Sequence, residues 1–486
     1  MAIKMDVEIG AKAEENDHQT EAAEPLLRRR KDGIEAPLAA ASESLWVVLL
    51  STAVAVSGSF EFGSCVGFSA PTQSEIRHDV GLSLSQYAMF GSILTIGAMV
   101  GAITSGRIAD FIGRKEAMRI SAAFCVLGWL AILFAQDALL LYFGRLSSGY
   151  GIGVLSYVVP VFIAEIAPKN LRGCLTTLNQ LLICAGGSAA YIIGTFVTWR
   201  QLVMLGMTPC LVLLVGLFLI PESPRWLAKV GRTKEFQATL QQLRGKNADT
   251  TEEATEIQEY IKTLESLPKA KVLDLFQSRY IRPVIVGVGL MVFQQIGGIN
   301  GIGFYASETF VAAGFSSGSL GTILLGSIQV PITLAGAFLM DKSGRRALLM
   351  VSATGTFLGT LMAGTSFYLK GQGIFMQWVP MLALSGILVY MAAFSIGMGA
   401  VPWVIMSEIF PINIKGTGGS LVTLVNWFGS WLISYTFNFL MNWSASGTFF
   451  LFSAASAATV LFVAGMVPET KGKTLEEIQE SMSPSK

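Results

Sequence analysis

Residues 110–115 read DFIGRK, and residues 341–346 read DKSGRR. Two further pairs of strings recur in the same order: EIAPKNLRG at 165–173 with EIFPINIKG at 408–416, and PES at 221–223 with PET at 468–470. Each string follows an apolar stretch long enough to cross a bilayer. Three matches in one order indicate a duplicated unit, with two halves of parallel topology and a binding site between them.

The composition is that of a membrane protein. Of the 486 residues, 52% are apolar and only 14% are charged, whereas soluble domains carry roughly 25% charged residues. Apolar stretches of spanning length are predicted at 45–68, 86–106, 118–136, 140–164, 174–197, 201–220, 283–307, 318–340, 347–369, 379–406, 417–441 and 448–467. The sequence therefore predicts an all-α membrane protein with twelve transmembrane helices in two six-helix halves.

Five segments follow from this reading. We expect a disordered cytosolic N-terminal tail at 1–44, a six-helix half at 45–220, a cytosolic helical linker at 221–282, a second six-helix half at 283–467 and a cytosolic C-terminal tail at 468–486. Within the linker, Phe236, Leu240 and Leu243 share one helix face, as do Ile257, Ile261 and Leu264. This spacing is typical of short surface helices.

The basic residues indicate the orientation in the membrane. With a cytosolic N-terminus, the cytosolic segments hold 30 of the 34 Lys and Arg residues, which follows the positive-inside rule. We therefore expect both chain termini in the cytosol. The first 32 residues have no apolar core followed by a cleavage site, so we expect no cleaved signal peptide.

Composition also argues against several functions. A net charge of +1 without a basic patch does not suggest nucleic-acid binding. The five cysteines form no CxxC pair, so we expect neither a disulfide framework nor a metal site but small buried side chains. Two histidines give no catalytic constellation. We expect no enzyme activity and no cofactor.

Amide side chains and one indole ring lie inside the apolar spans. An amide both donates and accepts hydrogen bonds without the cost of a buried charge, which suits a neutral polar ligand. The alternative is that buried amides bond neighbouring helices together. Gly297 and Gly298 should loosen the seventh span, as in the broken helices of transporters. The candidate binding residues are Gln180, Gln294, Gln295, Asn300, Gln329, Trp403 and Asn426.

The repeated strings, together with GR at 144–145, PESPRWL at 221–227, QQIGGIN at 294–300 and VPW at 401–403, resemble the sugar porter family of the major facilitator superfamily from about residue 46 to 480. EFGSC at 61–65 and IFPIN at 409–413 are similar to plant early-responsive-to-dehydration-like sugar transporters, a group generally placed in the vacuolar membrane. The resemblance implies an alternating-access carrier of a monosaccharide such as glucose. A polyol or inositol carrier and a non-transporting sugar receptor are the alternatives, and we expect a monomer.

The resemblance also assigns roles to residues. It places Gln180, Gln294, Gln295, Asn300, Trp403 and Asn426 at sugar contacts. Gln329 stands where members of the family usually have Asn, and Ser395 stands where many carry Glu.

Glu61 and Arg145 are an acid and a base deep in the spans, where charges mark function by default. Proton-coupled members carry Asp in span one, facing the Arg of span four, and Cys65 occupies that position here. Glu61 lies one helical turn earlier on the same face. Either Glu61 carries the proton in a symport that exports sugar from the vacuole to the cytosol, or the pair is fixed and the chain is a facilitative uniporter.

Charged residues recur at the predicted cytosolic span ends. The resemblance implies salt-bridge networks between the two halves that close the cytosolic side in the outward-facing state. Because exposed pairs are individually weak, a network is needed. Its expected members are Asp110, Arg114, Glu165, Arg172, Glu222, Asp341, Arg345, Glu408 and Glu469.

The N-terminal tail carries a candidate sorting signal. EAAEPLL at 21–27, with Glu21, Leu26 and Leu27, resembles an acidic dileucine sorting signal used toward vacuolar or lysosomal membranes. The vacuolar membrane is the expected location, and the plasma membrane is the alternative.

Overall fold

The computed structural model describes residues 45–245, 247–266, 272–411, 414–473, 477–478 and 482, apart from the side chains of Val272 and Asp341. The tail at 1–44 and its dileucine string lie outside these residues.

The first half is a bundle of long helices, as expected for apolar runs that must satisfy their backbone hydrogen bonds internally in lipid. Span one is longer than the sequence predicted, because after a turn at Phe68 a second helix continues to Val80. Capping boxes at Ser83 and Thr198 begin two of the later spans. The helices are α1 Leu45–Gly67, α2 Ser69–Val80, α3 Leu84–Ile112, α4 Arg114–Leu133, α5 Ala138–Ile166, α6 Arg172–Ile193 and α7 Trp199–Gly216.

The linker consists of α8 Pro224–Lys229, α9 Thr233–Arg244, α10 Thr251–Ser266 and a 3₁₀ turn at Val272–Phe276. Phe236, Leu240 and Ile257 are buried in a small apolar cluster with Trp226 and Leu227, which bears out most of the predicted helix faces. Leu264, on the same predicted face as Ile257, is exposed at the end of α10. We call the end of the bundle that carries the linker the linker side.

The second half repeats the pattern with two broken spans. Gly297 and Gly298 interrupt the seventh span as predicted, and Gly298 has φ +93°, which favours glycine. A π-helical turn at Phe394–Met398 interrupts the tenth span. The helices are α11 Ile281–Ile296, α12 Ile299–Phe304, α13 Ala306–Ala313, α14 Ser319–Ser343, α15 Arg345–Gln372, α16 Val379–Ala393, α17 Val401–Ile409, α18 Lys415–Trp443 and α19 Ala445–Met466.

Ten spans among the described residues are long and apolar enough to cross a membrane, taking α11 with α12 and α16 with α17 as one span each. The other two, α6 and α18, have 22 and 29 residues and complete the twelve. They carry Gln180 and Asn426, two of the candidate binding residues. The predicted twelve-helix membrane fold is confirmed.

Side-chain contacts between the halves occur toward the end of the bundle away from the linker. The hydroxyl of Tyr191 on α6 donates to the carbonyl of Gly303 on α12 at 2.8 Å. The rings of Tyr87 on α3 and Tyr305, between α12 and α13, have centroids 6.3 Å apart. The halves are therefore packed together on the side opposite the linker.

Candidate functional site

Four amides in the middle of the second half form one hydrogen-bonded chain. Asn300 Nδ2 donates to Gln295 Oε1 at 2.5 Å, and Gln295 Nε2 donates to Gln294 Oε1 at 3.4 Å. Asn426 Nδ2 donates to the same Gln294 oxygen at 2.8 Å. We call these residues the amide chain. Because the helix breaks after Ile296, residues on α11 and α12 approach one another and α18.

Gln294, Gln295 and Asn426 are buried, and Asn300 is half-buried. The amide chain also ties α11 and α12 to α18, so in this conformation it fulfils the alternative reading of amides that bond helices together. The two readings are compatible, because a polar ligand can exchange with these internal partners. An uncharged set of donors and acceptors suits a polyhydroxyl compound better than an ion.

Gln180 and Gln329 belong to a second polar group, where α6 meets α14. Gln180 Nε2 lies 3.7 Å from Cys184 Sγ, and Thr333 Oγ1 donates to the same sulfur at 3.4 Å. Gln329 Oε1 is buried without a hydrogen-bond partner in the described part of the chain. This group joins the two halves, whereas the amide chain lies wholly within the second.

Trp403 and Ser395 lie in the broken tenth span. Trp403 is half-buried on α17 and packs against an apolar cluster of the second half. Ser395 is buried in the π-helical turn. The break therefore places both residues in the interrupted part of one span.

Glu61 is fully buried on α1. Its Oε1 accepts hydrogen bonds from the indole N–H of Trp129 at 2.6 Å and from the thiol of Cys65 at 3.0 Å. Its Oε2 has no hydrogen-bond partner among the described residues, although the thiols of Cys125 and Cys210 lie within 4.8 Å of the carboxyl group.

Arg145, also fully buried, does not form the direct pair with Glu61 that the sequence suggested. Its Nη1 donates to the carbonyl of Cys65 at 2.7 Å and its Nη2 to the hydroxyl of Ser69. Its guanidinium lies 5.2 Å from the ring centroid of Phe68 and 4.7 Å from that of Phe90. The direct ion pair is therefore not made in this conformation: the carbonyl of Cys65 on α1, the hydroxyl of Ser69 on α2 and the rings of Phe68 and Phe90 surround the guanidinium instead.

Sequence reasoning missed the surroundings of Glu61. Four of the five cysteines are buried as expected, whereas Cys174 is exposed. Cys65, Cys125 and Cys210 come from α1, α4 and α7 and gather around one carboxyl group. A carboxylate with two thiols is a donor set that metals use, but the thiol and indole donors already satisfy Oε1. The overlooked signal was a polar or sulfur-containing residue on each of three neighbouring spans.

The motif acids on the linker side form one network in each half. In the first half, Glu165 accepts two hydrogen bonds from the guanidinium of Arg114, both at 2.8 Å, and one from the hydroxyl of Ser223 at 2.5 Å. Arg114 also pairs with Asp110 at 3.1 Å, and Asp110 with Lys229 of the linker at 2.8 Å. In the second half, Arg345 pairs with Glu408 at 3.3 Å.

These ion pairs join residues of the same half or its linker. The halves are packed together on the other side here, so the networks expected between the halves in the outward-facing state stay a prediction. Arg172, a further expected member, has a buried Nε without a hydrogen-bond partner among the described residues. The side chain of Asp341 lies outside the description.

Glu222 and Glu469 occupy matching places in the repeat, each against the first residues of a span. Glu222 accepts from the backbone N–H of Lys115 at 3.1 Å and of Ser223 at 2.6 Å. Glu469 accepts from the N–H groups of Arg345 at 3.0 Å and Arg346 at 3.1 Å. A Cβ on Gly113 or Gly344 would lie 2.6 Å from the respective carboxylate, so glycine makes room for both acids.

The two acids differ in their ionisation. Burial raises the pKa of Glu222 above its ordinary value, and its backbone donors only partly offset that effect. For Glu469, burial also raises the pKa, but the N–H groups of Lys471, Arg345, Arg346 and Thr470 together lower it below the ordinary value. The pKa values of these two acids, which occupy matching positions in the repeat, are thus shifted in opposite directions.

Comparison with known proteins gives consistent matches. Residues 46–482 match the family model described as "Sugar (and other) transporter". The chain is 66% identical to sugar transporter ERD6-like 16 of Arabidopsis thaliana over 90% of its own length and 91% of that protein. It is 61% identical to sugar transporter ERD6-like 7 of the same plant, over 90% of its own length and 95% of that protein.

Solved structures give a similar result. The inward-open xylose transporter XylE from E. coli aligns with a TM-score of 0.75 and 27% identity, over 90% of this chain and all of that one. The proton:xylose symporter XylE bound to 6-bromo-6-deoxy-D-glucose aligns with a TM-score of 0.74 and 26% identity, over 91% and 100% of the two chains.

Proposed function

The chain belongs to the sugar porter family of the major facilitator superfamily, in its ERD6-like branch, and from that membership we propose that it carries a hexose in symport with a proton. As a sugar transporter, not an enzyme, it works by exposing one binding site alternately to the two sides of the membrane. The proposed direction is from the vacuole to the cytosol. The proposed acting unit is the monomer, because the pathway lies between halves of one chain.

The amide chain is the observation that carries the proposed substrate. Asn300, Gln295, Gln294 and Asn426 offer both donors and acceptors, and they carry no charge. A hexose hydroxyl uses both kinds of partner, and Trp403 offers a ring for the C–H face of the sugar. Gln180 and Gln329 supply further amides from α6 and α14, so closure of the halves would bring contacts from both sides.

Glu61 supports the proposed coupling to protons. An ionised carboxylate is costly in an apolar interior without a cation partner, and Arg145 bonds to Cys65 and Ser69 instead. We place the proton on Oε2, the oxygen without a hydrogen-bond partner among the described residues. Release of that proton then requires a conformation that brings water or Arg145 to the carboxyl group.

The predicted distribution of basic residues supports a cytosolic linker side with both termini in the cytosol. The dileucine string at 21–27 supports the vacuolar membrane as the location. In that orientation a proton gradient from an acidic vacuole drives sugar toward the cytosol.

The decisive experiment measures sugar and proton movement in the same proteoliposomes. Labelled glucose, fructose and inositol are supplied separately, and a pH-sensitive dye follows protons. We expect sugar-dependent proton flux for wild type and none for Glu61→Gln, which keeps sugar exchange because exchange need not return the deprotonated carrier. Glu308→Gln, which removes a half-buried acid on α13, is the matched control and should behave as wild type.

Wild-type sugar transport without a proton signal between about pH 5 and 7.5, a range that lies above the ordinary carboxyl pKa and spans that of imidazole, would make the protein a uniporter. Glu61 would then be a structural residue of α1. Inositol carried faster than either hexose would identify a polyol carrier instead.

A further inference from the structure

The π-helical turn in the tenth span contains an inserted side chain from the neighbouring helix. Ser352, fully buried on α15, donates its hydroxyl to the carbonyl of Ala393 at 2.5 Å and accepts the N–H of Met398 at 2.8 Å. Ala393 and Met398 are five residues apart, the spacing of a π-helical hydrogen bond. The Ser352 hydroxyl therefore occupies a place in the backbone ladder, which is a known cause of helix irregularity.

The carbonyl of Met398, in the next peptide group, also lacks its helical partner because of the sequence. In a continued α-helix the carbonyl of Met398 would accept the N–H of residue 402, but that residue is Pro402 and has no N–H. The carbonyl instead accepts from Gln294 Nε2 at 2.5 Å. The backbone of one buried residue, Met398, thus connects Ser352, which accepts its N–H, to Gln294, which donates to its C=O.

This connection determines the orientation of the Gln294 side-chain amide. With Nε2 bound to Met398, Oε1 faces Asn426 and Gln295. A small pocket, with room for about one water molecule, adjoins Gln294 and is lined in part by Thr356, Ser456 and Thr459. These hydroxyls offer the amide other partners, so its orientation depends on the position of the Met398 carbonyl.

The sequence lets the two spans approach closely enough for this contact. A Cβ on Gly397 would lie 2.7 Å from the Cβ of Ser352, so a larger residue at 397 would force the helices apart. Small residues at such helix crossings are typical of membrane bundles.

We propose that Ser352 is a positioning residue of the sugar site, setting the orientation of Gln294 through the backbone of Met398. This rests on the proposed contact of Gln294 with sugar. Removing the hydroxyl leaves the N–H of Met398 and the carbonyl of Ala393 without their shared partner. The turn relaxes, and Gln294 loses its fixed acceptor.

The test compares two serines of α15 that make the same kind of bond. Ser366 is also fully buried and donates to the carbonyl of Val379, at the other end of the tenth span, at 2.7 Å. Glucose affinity is measured by calorimetry on purified full-length protein. We expect Ser352→Ala to weaken binding about five- to tenfold and Ser366→Ala less than about twofold, although both lose one buried hydrogen bond.

A double-mutant cycle with Gln294→Ala separates positioning from general damage. In the Gln294→Ala background, Ser352→Ala should weaken glucose binding by a further factor of less than about two, because the amide that Ser352 positions is gone. Ser352→Cys, a weaker donor and acceptor of similar size, should give an intermediate affinity, and it replaces Ser352→Ala if that variant is not recovered.

The outcomes distinguish the two proposals. Equal effects of Ser352→Ala and Ser366→Ala, or full additivity with Gln294→Ala, would overturn the positioning role while the sugar site stands. Unchanged binding in Gln294→Ala itself would remove Gln294 from the site, and the role of Ser352 with it.

Discussion

Glu61 and Arg145 are connected through Cys65. The thiol of Cys65 donates to Glu61 at 3.0 Å, while its carbonyl accepts from Arg145 at 2.7 Å. The acid and the base therefore contact different groups of one residue. A change to the Cys65 side chain alters the environment of Glu61 and leaves the carbonyl for Arg145 in place.

Cys65→Ala tests this separation. It removes one of the two donors to Glu61 Oε1, so the ionised carboxylate is less well stabilised and proton release becomes harder. We expect proton-driven glucose uptake to fall about three- to tenfold, as for one lost hydrogen bond worth roughly 1 kcal/mol. The loss should be larger at about pH 5.5 than at about pH 7.5, because a high pH favours release of the proton. Cys65→Ser, which keeps a donor, should restore most activity. Equal loss at both pH values would indicate a packing defect.

Gln295→Ala interrupts the amide chain at its centre. Gln295 accepts from Asn300 and donates to Gln294, so its loss removes a sugar partner and frees both neighbours. We expect glucose affinity measured by calorimetry to weaken at least about tenfold, since an unpaired hydroxyl costs roughly 1–3 kcal/mol. Gln201→Ala, which loses a capping amide at the start of α7, should bind as wild type. Normal binding in Gln295→Ala would exclude this residue from the site.

Glu165→Gln and Glu408→Gln address the linker-side networks. Glu165 holds Arg114 and Ser223 together, and we propose that this fixes the surface with which the first half closes against the second. Loss of the acid should favour the conformation open on the linker side and slow net transport. In a Cys174→Ser background, which removes the exposed native thiol, labelling of Ser407→Cys should quicken roughly two- to fivefold, as expected for a pair worth up to about 1 kcal/mol.

Glu116→Gln is the control for these variants, because Glu116 pairs with Arg119 on the same helix outside the repeated strings. It should leave labelling unchanged. If Glu165→Gln labels at the wild-type rate, Glu165 has no part in closing the linker side.

The opposite pKa shifts of Glu222 and Glu469 predict opposite dependences of stability on pH. Glu222 has a raised pKa in the folded state, so its favourable contribution is full below the ordinary carboxyl value and is lost as pH rises through the folded pKa. Glu469 has a lowered pKa, so its contribution is present above the ordinary value and lost as pH falls.

The measurement is the Tm of purified protein at about pH 3.5, 5 and 7.5, values on both sides of the ordinary carboxyl pKa. Glu469→Gln should lower Tm more at pH 5 than at pH 3.5, by about 2–4 °C for each kcal/mol lost in a domain of the size of one half. The Tm of Glu222→Gln relative to that of wild type should be higher at pH 7.5 than at pH 5. The same pH trend for both variants would contradict the different surroundings of the two acids.

The candidate sorting signal at 21–27 is tested by combining Leu26→Ala with Leu27→Ala in a fluorescent fusion. We expect the protein to move from the vacuolar membrane toward the plasma membrane, because the two leucines are the apolar part of the sorting string. Leu38→Ala, in the same tail, is the control. Unaltered localisation would show that the string at 21–27 is not used.

The sequence predicted the parts of the molecule that follow from local chemistry or from repetition. Gly297 and Gly298 lack the side chains that would favour a continuous helix, and the seventh span breaks at these residues. The apolar runs required helices, and the repeated strings indicated two halves. The tenth span was predicted without its π-helical turn, because the inserted hydroxyl comes from Ser352, far away in the chain.

Partners that depend on packing were beyond the sequence. The thiols near Glu61 come from three separate spans, and no spacing along the chain places them together. The linker-side acids were recognised by their repetition, but whether Glu165 bonds within its own half or across to the other depends on how the halves are arranged. A pattern of charges does not contain that information.

The amide chain also has a thermodynamic consequence. Its members already bond to one another and to Met398, so at the proposed site an arriving sugar hydroxyl would exchange one hydrogen bond for a similar one. The heat released on binding would then be the small difference between two nearly equal sets of bonds. By the van't Hoff relation, affinity should change little with temperature, so that the carrier would keep a similar working range of sugar concentration at low and high temperature.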